Sequence, residues 1–356
     1  MQKTISFPHM GNYNVPIENM LRHIFAGHKI MTAPNITKRT LELGSKHSPD
    51  FVCVPFKYNL GNYIEALESG ANVLIQAGGG CRYGYYAEVQ EQILRDLGYK
   101  FEFVKLMSGK VNPVDLYRVS KRIGTPLSFG RFLYFVLLAI DMVKKLDELE
   151  AYIRENVGFE VVEGSLERLH AELLERLKRV DCFKELRAVY KTYGEKIRGV
   201  EINKPDDCLK VGIVGELYTL MEPFSNFFLE RELAKSRIQV SRFITVTYLL
   251  FEKSRMKKKT LKSAGRYLKY ELGADGTDSV EKSKTLAEKG YDGMIHVKPF
   301  GCIPEINAMP VLQNISRDYK MPILYFSFDS QTSETGIKTR LEAFIDMITM
   351  RKEKGV

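Results

Sequence analysis

The sequence predicts an α/β fold with parallel sheets, because short strand patterns and helix patterns alternate near both ends of the chain while the middle reads as helix alone. Apolar runs such as Val73-Leu74-Ile75 and Gly212-Ile213-Val214 adjoin glycine turns and read as buried strands. Segments such as 15–26 instead carry apolar residues at helical spacing, here Ile17, Met20, Leu21 and Ile24. Strands separated by helices pair in parallel, since a parallel crossover takes about a dozen residues or more.

In chain order, a strand over 3–7 leads to the helix 15–26, a strand over 29–32 and a short helix over 37–46. A strand is expected over 50–55, broken by Pro55, and then a helix over 59–69 that Gly70 closes as its C-terminal cap. The strand 71–77, the glycine turn Gly78-Gly79-Gly80, a helix over 85–97 and a strand over 101–106 complete the first α/β set. From 113 to 204 the pattern is helical, with 133–152 and 166–193 each read as one amphipathic helix. The strand 209–214 restarts the alternation. It continues through helix 223–234, strand 238–243, an irregular helical stretch to 272, helix 280–288, strand 293–297, helix 306–315, strand 322–328 and helix 334–350. The expected domains are an α/β domain over 1–112, a helical insertion over 113–205 and a second α/β domain over 206–356.

Composition narrows the function classes. With 44% apolar and 27% charged residues the chain has ordinary globular usage, and its 356 residues suffice for two or three cores. It has no apolar run long enough for a membrane span, and its start lacks a signal peptide's layout, so a cytoplasmic protein with no membrane role is expected. Five cysteines at wide, irregular spacing argue against a disulfide framework and for reduced thiols. The formal charge of +9 is spread along helices without a nucleic-acid signature, so no nucleic-acid partner is expected; the densest cluster, Arg255-Met256-Lys257-Lys258-Lys259, reads as a solvated helix end, with a polyanion site as the alternative. No Gly-x-x-x-x-Gly-Lys-Ser/Thr loop is present, and ATP hydrolysis is not assigned to this chain.

Three cysteines stand out. Cys53, Cys81 and Cys302 each follow an expected strand and precede an expected helix, which is the carboxyl edge of a parallel sheet, where open α/β folds bind ligands. They could therefore converge in a cleft between the domains. Three glycines before Cys81 let the backbone pass close to a bulky ligand, and a helix N-terminus favours a thiolate. Cys53-Val54-Pro55 and Cys302-Ile303-Pro304 echo each other and suggest equivalent ligands from two half-molecules, whereas Cys182 falls within an expected helix and Cys208 before a strand. Three thiolates suit a zinc ion with an open position or an iron-sulfur cluster with one open iron, and the spacing also allows three unrelated core cysteines. Around them, His9 reads as a cleft residue or a capping or core histidine. Lys57 and Arg82 could neutralise an anionic cluster or meet a phosphate, or pair on the surface. Glu305, like Glu216, reads as a proton acceptor or a first-turn helix residue.

Six ordered motifs then carry a resemblance. Phe7-Pro8-His9-Met10-Gly11, Lys38-Arg39-Thr40-Leu41-Glu42-Leu43-Gly44, Cys53-Val54-Pro55-Phe56-Lys57, Gly80-Cys81-Arg82-Tyr83-Gly84-Tyr85-Tyr86, Gly212-Ile213-Val214-Gly215-Glu216 and the run from Ile295 to Glu305 together resemble the 2-hydroxyacyl-CoA dehydratase component superfamily, in its activase-related branch. The resemblance spans nearly the whole chain. It implies two flavodoxin-like domains and an iron-sulfur cluster, of the 4Fe-4S or double-cubane type, held by Cys53, Cys81 and Cys302. On the residue reading above, Lys57, Gly80 and Arg82 are then candidate cofactor neighbours and His9 and Glu305 candidate catalytic residues. It further implies low-potential electrons from an ATP-dependent activase carrying its own cluster, assembly as a homodimer or as a heterodimer with a related subunit, and an acyl-CoA substrate. In the dehydratase form one electron reaches a thioester carbonyl and the ketyl radical expels hydroxide; in a reductase form the electrons go to another small substrate. A non-catalytic electron-transfer or accessory subunit, and a three-cysteine zinc protein, are the alternatives. The chain departs from its relatives at Gly273-Ala274-Asp275-Gly276, where a Gly-Gly-His-Gly type turn is expected, and at Gly78-Gly79-Gly80, where a proline often precedes the cysteine.

Overall fold

The structure is a computed structural model that describes residues 2–76, 78, 81–106 and 112–355; of Arg82 and Tyr83 it describes the main chain. The chain forms two compact units, Met1–Val143 with Leu173–Tyr190 and Lys144–Glu172 with Lys191–Val356. Each is built on a four-stranded parallel sheet.

The first unit runs β1 (Thr4–Phe7), α1 (Asn14–Ile24), β2 (Lys29–Thr32), α2 (Lys38–His47), α3 (Val54–Glu68), β3 (Val73–Gln76), α4 (Tyr86–Asp96), β4 (Glu102–Lys105) and α5 (Pro113–Ile123). Its strand order is β2-β1-β3-β4, with Thr4 opposite Lys29, Ile5 opposite Val73 and Leu74 opposite Phe103. That is the flavodoxin-like winding, in which the chain leaves the middle of the sheet in both directions. All of β3 is buried, as a central parallel strand covered on both faces must be. Its neighbours in the core include Phe56, Leu60, Tyr63 and Leu94. The pair α2 and α3 touches backbone to backbone: a Cβ built on Gly44 would lie 1.7 Å from the Lys57 carbonyl oxygen, and one on Gly61 would lie 1.9 Å from that of Thr40. The Thr40 hydroxyl crosses the same contact to Glu65 at 2.8 Å.

The residues of α6 (Phe129–Asn156), α7 (Ser165–Leu177) and α8 (Phe183–Arg198) are divided between the units. No helix among the described residues is long and apolar enough to cross a membrane.

The second unit then runs β5 (Lys210–Gly215), α9 (Leu217–Met221), α10 (Leu229–Lys235), β6 (Gln239–Arg242), α11 (Lys253–Ser263), α12 (Gly276–Glu288), β7 (Gly293–Pro299), α13 (Ile303–Tyr319), β8 (Ile323–Phe328) and α14 (Glu334–Glu353). The order β6-β5-β7-β8 repeats the winding of the first sheet. Every residue of β7 is buried. A Cβ on Gly212 of β5 would meet the tip of the Leu286 side chain on α12 at 2.4 Å, so glycine there lets that side chain lie close over the strand.

Several expected elements differ from those observed. The strand expected over 50–55 is a turn followed by the start of α3, because Pro55 falls in the first helical turn, where its missing N–H costs nothing. The single helix expected over 166–193 breaks at 178–182, so Cys182 precedes α8, where its carbonyl accepts from Leu186 N at 3.0 Å, instead of lying within a helix. The helix expected over 223–234 is a short 3-10 turn, Pro223–Asn226, and then α10, separated by Phe227 and Phe228 at φ 56° and 57°.

Candidate functional site

In the first unit the candidate site lies at the carboxyl edge of the sheet, and Cys53 reaches it by a route the sequence did not suggest. The helix α3 leads into β3, so it runs antiparallel to that strand and its N-terminus lies at the strand's carboxyl end. Cys53 is the N-cap of α3. Its Sγ is 3.0 Å from the hydroxyl of Tyr86, the first residue of α4, and the Tyr86 ring packs edge-on against Phe56 at 4.8 Å. The amide of Gln76, the last residue of β3, donates to Gln90 Oε1 at 2.8 Å, and Gln90 Nε2 donates to the Phe56 carbonyl at 3.2 Å. The end of β3 and the starts of α3 and α4 are thus fastened by buried polar and aromatic contacts, and the Cys53 thiol is part of the fastening.

Cys81 is exposed and opens the 3-10 turn Arg82–Tyr85 that runs into α4; its carbonyl accepts from Gly84 N at 3.0 Å. Phe51 and Tyr85, close in sequence to the two cysteines, are 96% and 76% exposed. His9 lies on the loop after β1 and is buried, and its backbone N–H donates to Asn62 Oδ1 of α3 at 2.7 Å. Lys57 is buried in the second turn of α3. Gly80 and the side chain of Arg82 lie outside the described residues.

In the second unit Cys302 is the N-cap of α13, directly after β7, with Pro304 in the first helical turn. The Cys-x-Pro echo is therefore a shared helix-start signal at two different places in the winding. The topological counterpart of Cys302 is Cys81, since each follows the third strand of its unit. The counterpart of Cys53 is Asp275, the N-cap of α12, which is the helix leading into that third strand. Beside Cys302, Phe300, Ile303 and Ile306 are 69%, 50% and 41% exposed.

Two residues near Cys302 are turned inward. Glu305 is fully buried: one carboxylate oxygen lies 2.7 Å from His296 Nε2 on β7, and the other accepts from Ser279 Oγ on α12 at 3.2 Å. Lys298 on β7 is buried as well and donates to the Phe300 carbonyl at 3.2 Å. Burial pushes its ammonium pKa down, against the pull of Cys302 and Glu305.

At the same edge lies a network that the sequence reading did not assemble. Lys253 Nζ bridges Asp275 at 2.5 Å and Asp278 at 3.0 Å, and the Tyr248 hydroxyl donates to Asp278 at 2.5 Å. Asp275 also accepts from Leu217 N at 3.2 Å. Glu216 caps α9 by accepting from the backbone N–H groups of Tyr218 and Thr219 and from the Thr219 hydroxyl. Burial first, and then the charge of Asp275, push the Glu216 carboxyl up to about 7 against these hydrogen bonds. Lys253 moves the other way: burial disfavours its charge, but Asp275 and Asp278 together raise its pKa. The starts of α12 and α13 are in close contact, since a Cβ on Gly276 would lie 2.5 Å from the Pro304 carbonyl oxygen; between the paired strands, one on Gly215 of β5 would lie 1.8 Å from the Val297 carbonyl oxygen of β7. The strand-end pair Gly215-Glu216 and the turn Asp275-Gly276 were visible as sequence signals; Lys253, which lies in a run of cations, was not.

Cys53 and Cys302 are at helix N-caps of their own units and Cys81 precedes a helix, positions where backbone N–H groups and the helix dipole favour thiolates. Within the described residues no group of three or more His, Cys, Asp or Glu side chains is arranged to hold a metal ion.

No family model matches the chain. No curated protein matches it. Among solved structures, a proposed phosphosugar isomerase from Silicibacter pomeroyi DSS-3 overlaps at a TM-score of 0.21 and 12% identity, over 100% of this chain and 88% of that one, a likeness too low to carry an argument.

Proposed function

We propose that this chain is an iron-sulfur protein in which Cys53, Cys81 and Cys302 are the thiolate ligands of a 4Fe-4S or double-cubane cluster, and that it takes low-potential electrons from an ATP-dependent activase. Those electrons serve the reductive dehydration of a 2-hydroxyacyl-CoA or the reduction of another small substrate. The observation that carries the reading is the placement of the three thiols, each at or just before a helix start at the carboxyl edge of its own sheet, flanked in sequence by exposed apolar side chains. A bound cluster supplies one-electron transfer at low potential. The chain's own residues then have definite tasks. Helix starts favour the thiolate form in general, so the three thiols are placed where they can ligate as thiolates. The Tyr86 hydroxyl, 3.0 Å from Cys53 Sγ, donates a hydrogen bond that disperses thiolate charge. Glu305 holds the first turn of α13, and with it Cys302, against β7 and α12. In this reading Lys57, Gly80 and Arg82 are cluster neighbours, His9 is a catalytic candidate, and the protein works as a homodimer or a heterodimer in the cytoplasm.

The test is anaerobic purification followed by iron, sulfide and zinc analysis of the same sample. Iron and acid-labile sulfide in comparable amounts support the reading. A colourless protein holding stoichiometric zinc sinks it in favour of a three-cysteine zinc protein.

A further inference from the structure

We infer that the outer face of α11 is a docking surface for an acidic protein. Arg255, Lys258, Lys259 and Lys262 are exposed and spaced i, i+3, i+4, i+7, which places all four on one face of the helix. They span about 10 Å along the helix axis. The helix contains no acidic residue, and among the described residues none of the four cations has an ion-pair partner, whereas Lys253 and Lys257 of the same helix pair with Asp275 and Asp278 and with Glu271. The opposite side is committed to the core: Thr260 and the following Ala264 are buried, and Leu261 packs against a cluster with Val280, Leu286 and Leu312. That rules out insertion of an apolar helix face into a lipid surface, which needs the very side that is buried.

Four like charges over two turns repel one another, and nothing in the fold requires them there. An anionic partner turns the repulsion into attraction. Nucleic acid binding requires cations that track a backbone together with base-stacking platforms or groove-reading side chains. Here the four cations cover only about 10 Å of one helix, with the exposed Lys269 following it and Leu250 and Tyr270 near in sequence at 49% and 79% exposure. A short run of cations with large exposed apolar side chains near it in sequence suits a small, transient protein interface, the kind used between redox partners. The redox nature of the partner rests on the function proposed above; the acidic character of the partner does not.

The experiment uses the full chain and an acidic bacterial ferredoxin as probe, with K258E/K259E/K262E and K258Q/K259Q/K262Q as variants and circular dichroism as the check on folding. Wild type is expected to bind the ferredoxin with an affinity that falls steeply from low to physiological ionic strength. The charge-reversed variant should bind at least about 10-fold more weakly at low ionic strength, and the glutamine variant should fall between. Equal binding by all three proteins overturns the inference, and so does a DNA duplex that binds wild type more tightly than the ferredoxin and loses that binding in the same variants. Iron is measured on the same preparations. Wild type that binds the ferredoxin but holds no iron contradicts the iron-sulfur reading alone, and iron-replete wild type with no ferredoxin binding contradicts the docking surface alone.

Discussion

Replacing Gly44 by alanine tests whether the α2–α3 contact fixes the helix that presents Cys53. The added Cβ would lie 1.7 Å from the Lys57 carbonyl oxygen. A carbon–oxygen contact needs roughly 3.3 Å, so the two helices must part by about 1.6 Å. The neighbour is backbone in the second turn of α3, so no side chain can swing away to make room. Overpacking of this kind costs about 1–3 kcal/mol, and the displacement argues for the upper end. Weakening the buried Thr40–Glu65 hydrogen bond adds about 1 kcal/mol, and the better helix propensity of alanine returns about the same. The expected loss is therefore about 3 kcal/mol, or roughly 6–12 °C in the melting temperature of a unit this size. Gly130 on α6 has nothing within 4 Å of its would-be Cβ, so Gly130→Ala should be neutral or slightly stabilising. Thermal and urea unfolding of both variants decide the matter. A Gly44→Ala protein within about 0.5 kcal/mol of wild type would refute the backbone contact and the fixed position of α3 that depends on it.

Three further outcomes follow from the second unit. Glu216 binds its proton more tightly in the folded state, at about 7 against an ordinary 4.5, so its favourable contribution is complete below pH 4.5 and is lost as pH rises to about 7. The loss is roughly 3 kcal/mol, and Glu216→Gln should remove most of that slope in urea titrations across this window; an unchanged slope would show that the pH dependence arises elsewhere. Glu150 has the opposite sign: against the penalty of burial, the His170 hydrogen bond and the charges of His170, Arg154 and Arg242 hold it at about 2, so its contribution is present above pH 4.5 and disappears as pH falls towards 2. Glu150→Gln should lose that acid-side slope, and acid titration followed by circular dichroism reads it. Glu305→Ala leaves His296 and Ser279 buried without their partner and should cost about 2–4 kcal/mol, while Ser279→Ala should cost about 1 kcal/mol; equal effects would mean that the histidine contact is not the important one.

Much of the winding was legible because it is written locally. β2 was expected at its observed bounds, and β5, β7 and β8 within two residues, since apolar runs closed by glycine or proline leave few alternatives. The misread elements share a cause. Pro55 signals a break whether it ends a strand or opens a helix, and only packing against α2 decides for α3. Phe227 and Phe228 adopt left-handed conformations that phenylalanine does not prefer, and the surrounding hydrogen bonds, from the Ser225 and Asn226 side chains to the Thr219 carbonyl and from Leu229 N to Asn226 Oδ1, hold them there. The site shows the same divide. The cysteines and the Glu305 helix start were visible as isolated residues, whereas the bonds that give them positions join Cys53 to Tyr86, Glu305 to His296 and Lys253 to Asp275, across 33, 9 and 22 residues of sequence. No local pattern encodes such pairings. The Cys-x-Pro echo was misleading for a related reason: it records how a helix starts, and the winding alone shows that Cys81 is the counterpart of Cys302.

The central claim is that three particular thiols hold iron, and the most direct measurement is iron per chain in anaerobically purified wild type, Cys53→Ser, Cys81→Ser, Cys302→Ser and Cys208→Ser. Serine replaces a soft thiolate by a weaker oxygen donor, so each of the first three substitutions should strip or destabilise iron. Cys208 is the control: it precedes β5, at the amino edge of its sheet, and its Sγ points to Gln239 at the start of β6 at 3.9 Å. The account predicts wild-type iron in Cys208→Ser and a severe loss in the other three. Equal loss from Cys208→Ser and Cys302→Ser, or full iron in any of the other variants, would contradict it.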